Sequence, residues 1–139
     1  MGKTEKMIGY TSRTEDDILY MEFGKLNKES ALEAAQTFKS AIEKPEIKKS
    51  FFIGREGFQM LGAFGIFDRE VKKMDTSHLT ANAIVLISNA LKILVQNIIP
   101  KDDPTDTKIF APKEEELALN WIKAWESKEQ AEEWLKQNK

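Results

Sequence analysis

Five consecutive apolar residues, Ala83 to Ile87, close the segment LTANAIVLI at 79–87. A strand with one face in water alternates apolar and polar side chains, so an unbroken apolar run reads as a strand covered on both faces. Such a strand belongs in the middle of a sheet. Around it, stretches with helical spacing take turns with further short apolar runs. NKESALEAAQTFKSAIEKPE at 27–46 repeats Ala31, Ala35, Phe38 and Ile42 on one helical face; Asn27 or Ser30 can cap its start, and Pro45 closes its end. SFFIG at 50–54 reads as a strand, and REVKKMD at 69–75 as the polar end of a helix.

SNALKILVQNIIP at 88–100 carries a Ser88 cap, an apolar face of Leu91, Leu94, Val95 and Ile98, and a terminating Pro100. TKIFA at 107–111 is a further strand. Beyond Pro112, which suits a first helical turn, Leu117, Ala118, Trp121, Ile122 and Trp125 form one stripe. ALNWIK at 118–123 and AEEWLK at 131–136 repeat with an offset of 13. On one straight helix that offset turns the second Trp about 220° from the first. Ser127 and Gln130 supply a capping-box pattern, which predicts a break at 126–127 and a second short helix. At the other end, MIGYT at 7–11 and DILYMEF at 17–23 flank SRTED and read as a hairpin with a polar turn. The expected fold is α/β: a mixed sheet of four or five strands layered with helices, an N-terminal hairpin followed by βαβαβαβα. The expected division is a disordered 1–6, a domain over 7–126 and an appended helix over 127–139.

Composition narrows the chemistry. The 139 residues suit a single domain with a real core, and the absence of cysteine removes disulfides, thiolate metal sites and a Cys nucleophile. With 21 basic and 23 acidic side chains the net charge is −2, no footprint for nucleic acid. No apolar run reaches the ~18 residues of a membrane span and no leader precedes the first strand, so a cytoplasmic location is expected. Met1-Gly2 would suit acylation only with Ser or Thr at position 6, where Lys6 stands.

The segment NAIVLISNALKILVQNIIPKDDPTDTKIFAPKEEELALNWI at 82–122, most specifically Ala83 to Ile122 with its Ser-initiated helix, Gln96-Asn97, Pro104 loop, Thr107 to Phe110 strand, Ala118 and Trp121, resembles the small bacterial STAS-like proteins of the SpoIIAA-like superfamily. The resemblance implies a sheet with helices largely on one side and a non-enzymatic role. In the STAS anti-sigma antagonists a serine at the start of the second helix is phosphorylated, and the added charge switches partner binding. Between Ser50 and Thr76 this chain has no Ser, Thr or Tyr, so that switch has no acceptor at its usual place.

That place is GREGFQMLGAFGIFD at 54–68, with four glycines among six large apolar side chains. It lacks the Gly-Lys-Ser/Thr ending of a P-loop and the spacing of a dinucleotide turn. Gly54 and Gly57 suit a strand-to-helix turn. Gly62 and Gly65 each cost about 1 kcal/mol inside a helix, which asks for a packing or ligand reason. Phe58, Met60, Leu61, Phe64 and Phe67 are either core or the wall of an apolar pocket or interface, with Arg55 at its mouth to receive an anion or to make a surface ion pair. Trp134 is the candidate anchor for a homodimer contact.

Elsewhere the residues offer little catalysis. His78 is the single histidine, too few for a Ser-His-Asp or His-rich metal site. Asp102, Asp103 and Asp106 share a loop without EF-hand spacing, and Glu114 to Glu116 suit the positive end of a helix. No cofactor and no metal are expected. The function read from the sequence is a binding or regulatory module acting through an unknown protein partner. The alternative is a carrier or sensor of a hydrophobic, lipid-like molecule held at 58–67.

Overall fold

The computed structural model describes residues 9–55, 62–86, 93 and 105–139. It contains a five-stranded sheet whose strands lie in chain order: β1 (Tyr10–Glu15), β2 (Ile18–Phe23), β3 (Lys49–Gly54), β4 (Ala81–Val85) and β5 (Asp106–Phe110). β1 runs antiparallel to β2, and the remaining pairs are parallel. Among the described residues the helices with complete bounds are α1 (Lys28–Ile42), α2 (Ala63–Val71), α3 (Glu115–Ala124) and α4 (Lys128–Asn138). This is the expected α/β class with its mixed sheet and N-terminal hairpin.

The described helices cover both faces of the sheet. Along β2, Leu19, Met21 and Phe23 join one core cluster with Phe38 of α1 and Phe67 of α2, while Ile18 and Tyr20 join another. That second cluster contains Phe51, Ala83 and Val85 of the sheet with Trp121 of α3 and Leu135 of α4. Successive side chains of a strand point to opposite faces, so a strand with both sets buried requires a cover on each side. The described helices divide two and two: α1 and α2 cover one face, α3 and α4 the other.

The hairpin turn also moves. Glu15 pairs with Ile18, so the turn is Asp16-Asp17, with Asp16 at φ 57°, and the SRTE expected in the turn is strand. Asp tolerates this left-handed conformation better than most residues. β1 is an edge strand with side chains mostly exposed, so nothing selects apolar residues there. The helix expected at 88–100 lies outside the described residues except for Ile93, which is helical and exposed. The expected disorder at 1–6 also lies outside them.

Local chemistry accounts for the helix limits. The Asn27 side chain accepts from the Ser30 amide at 2.8 Å and Ser30 Oγ accepts from the Asn27 amide at 2.8 Å, a reciprocal cap at the start of α1. Ser127 Oγ accepts from the Gln130 amide at 3.2 Å and begins α4 after the break, while Gln130 Oε1 reaches the Glu126 amide at 3.0 Å.

α2 separates the two glycines that the sequence left equivalent. Gly62 is its N-cap at φ 79° and ψ −123°, a conformation open to glycine and strained for any other residue; Gly65 is ordinary helix with open space where a Cβ would stand. Gly62→Ala is expected to destabilise the protein by about 1–3 kcal/mol. Gly65→Ala is expected to stabilise it by up to about 1 kcal/mol. Urea unfolding of the two single variants checks the opposite signs.

Candidate functional site

Arg55 follows β3 directly, its amide donating to Phe23 O at 2.7 Å. Its Nε donates to Glu22 Oε2 at 3.0 Å, while Nη1 and Nη2 donate to the two oxygens of Glu115 at 2.8 and 3.1 Å. The fork therefore ties β2 and the end of β3 to the first turn of α3. Partial burial acts to lower the guanidinium pKa, but the hydrogen bonds and charges of Glu22 and Glu115 outweigh it and raise the value. An external anion at Arg55 would have to displace Glu115 from a bidentate contact.

Beside this bridge, Tyr20 is roofed by Arg13, whose guanidinium carbon lies 4.1 Å from the ring centroid. Burial, followed by the charge of Glu15, pushes the Tyr20 phenol above its usual pKa. Arg13 and Glu15 project from β1, which pairs only with β2 among the described residues. The Gly24 amide donates to Gly9 O at 2.8 Å, and alternation along an antiparallel pair then directs the N–H and C=O of Thr11, Arg13 and Glu15 toward β2. Those of Tyr10, Ser12 and Thr14 point away from β2, to the side of the sheet where no described strand pairs. Tyr10 is fixed from above by α1, its hydroxyl 2.7 Å from Thr37 Oγ1 and 3.2 Å from Glu33 Oε1.

Of the apolar residues expected at a site, Phe67 is core. Its ring centroid lies 5.1 Å from that of Phe23, 6.0 Å from Phe38 and 6.2 Å from Phe52. Phe58, Met60 and Leu61 lie outside the described residues, as does the side chain of Phe64 in α2. Trp134 is half-buried against the α3–α4 side of the core, far along the chain from Arg55. Asp106 accepts from Trp125 Nε1 at 2.7 Å, and Asp102 and Asp103 lie outside the described residues. Glu114 Oε1 accepts from the Ala111 amide at 2.9 Å. Among the described residues no three His, Cys, Asp or Glu gather as a metal site, and no helix is long and apolar enough to cross a membrane.

Two interior polar features escaped the sequence reading. Ser50 Oγ donates to Asn82 Oδ1 at 2.8 Å between β3 and β4. Lys49, only 7% exposed, donates from Nζ to Ile122 O at 2.9 Å in the last turn of α3. The signal was present: Lys49 shares the period of the buried Phe51 and Ile53, so its side chain enters the same face. Lys49→Met keeps most of the stem and removes that donor from a buried carbonyl, with an expected loss of about 1–3 kcal/mol in chemical denaturation.

Comparison with family models, with curated proteins and with solved structures gives no match to this chain.

Proposed function

We propose that the protein is a non-enzymatic binding module that acts through protein contact, and that the contact is made at the open edge of β1. The observation that carries this reading is the register: Tyr10, Ser12 and Thr14 present three amides and three carbonyls to the outside of the sheet on a strand anchored by α1 and by β2. An extended segment of a partner can add to such an edge, with main-chain hydrogen bonds giving affinity and the flanking side chains giving selectivity. Arg13 and Glu15 would supply that selectivity on one face of the strand.

The resemblance to STAS-like proteins supports a protein-contact role. The lack of any hydroxyl side chain from 51 to 75 argues for one without the phosphoserine switch at the family's usual place. The packing of Phe67 among three other phenylalanines favours this reading over a carrier whose ligand sits on that ring.

Ser12→Pro tests it. The Ser12 amide points away from β2, so proline there removes no bond of the sheet and is tolerated as edge-strand prolines are. Partners retained by tagged wild-type protein in its native cells are expected to be lost by a Ser12→Pro variant of unchanged circular dichroism. Undiminished retention would place the contact elsewhere.

A further inference from the structure

On the face covered by α1 and α2, a cleft of about 630 Å³ opens between the C-terminal halves of the two helices and the loops that leave them. That volume is in the range of small-molecule sites, about 300–1,000 Å³. Its formal charge cancels, with Lys39, Lys48 and Lys73 set against Glu43, Glu70 and Asp75, yet only Lys73 and Glu70 among them are joined as an ion pair. Lys73 is paired with Glu70 at 3.0 Å, and Asp75 is held by the Ser77 amide and hydroxyl. Among the described residues, Lys39 and Lys48 have no carboxylate and Glu43 has no cation within ion-pair distance. Uncompensated charges of both signs therefore stand around one cleft whose accessible apolar surface is Pro45 and Met74, with the buried Ile42 beneath them. His78 lies in the same wall, and its Nε2 is buried without a hydrogen-bond partner among the described residues.

We propose that this cleft binds a small zwitterion with an apolar side chain, an amino acid or the end of a short peptide. Its carboxylate is received by Lys39 and Lys48, its ammonium by Glu43, and its side chain lies on Pro45 and Met74. A simple anion would meet Glu43 and Asp75, and a simple cation would meet the lysines; only a ligand carrying both charges matches the lining. The site is independent of the β1 edge.

His78 is the only histidine of the chain, so its imidazole resonances report the cleft without ambiguity. The experiment titrates the full-length protein with L-leucine and L-phenylalanine, following those resonances. The matched probes are 4-methylpentanoate and isoamylamine, which each keep the leucine side chain and one of its charges. The expected result is saturable binding of at least one amino acid, with both single-charge probes weaker by about tenfold or more. Lys39→Gln/Lys48→Gln, both at exposed positions, is expected to weaken amino-acid binding by about tenfold while the rest of the amide spectrum stays unchanged. Absence of saturation by either amino acid up to about 10 mM, equal binding of the single-charge probes, or wild-type affinity in the double variant would each overturn the proposal.

Discussion

Phe67→Ala is expected to cost about 3–5 kcal/mol of unfolding free energy. The side chain is 2% exposed and packs edge-on against Phe23, Phe38 and Phe52, which come from β2, α1 and β3. Truncation removes the ring's burial, three aromatic contacts that each contribute about 0.5–1.5 kcal/mol beyond area, and leaves a cavity that neighbouring rings cannot fill without leaving their own rotamers. A domain of this size has about 5–15 kcal/mol in total, so the variant should unfold at markedly lower urea concentration with an unchanged slope. If Phe67 instead lined an empty pocket, its loss would cost less than about 1 kcal/mol, and the core assignment would fail.

Trp121→Ala should cost a similar amount, about 3–5 kcal/mol, on the opposite face of the sheet. Trp121 is 2% exposed, stands 5.7 Å from Phe110 of β5 by ring centroids, and shares its helix with Ala118 and Ile122, which are fully buried. α4 adds its own buried Ala131 and Leu135 to the same cluster. Loss of the indole therefore loosens two helices together, and hydrogen exchange should accelerate in α4 as well as α3. Acceleration confined to α3 would show that α4 is held by other contacts. Phe67 and Trp121 lie in separate clusters, so their costs should add, provided the double variant still folds.

The parts that were legible in the sequence are those that burial or local hydrogen bonding writes into a short window. Ala83 to Val85, the part of the apolar run that lies in β4, marked a strand with two covered faces, and the Asn27 and Ser127 caps marked helix starts within four residues of themselves. The same run asks for cover on both sides of the sheet, whereas the expectation of helices mainly on one face came from the family resemblance. β1 was misread because periodicity reports burial, and an exposed edge strand has little to report. Arg55 shows the limit for sites. Its partners Glu22 and Glu115 stand 33 and 60 residues away in sequence, and the pairing exists only once β2 and α3 are assembled beside β3. Lys49 and Ile122, 73 residues apart, make the same point for a buried ammonium.

The central claim, contact through the edge of β1, is tested most directly by amide hydrogen exchange along residues 10–15, first in the free protein and then with a purified partner recovered by the wild type. In the free protein Tyr10, Ser12 and Thr14 should exchange fast, while Thr11, Arg13 and Glu15 are slowed by their bonds to β2. In the complex all six should be slow. Outward amides already as protected as their neighbours in the free protein, or still fast when the partner is bound, would contradict the account.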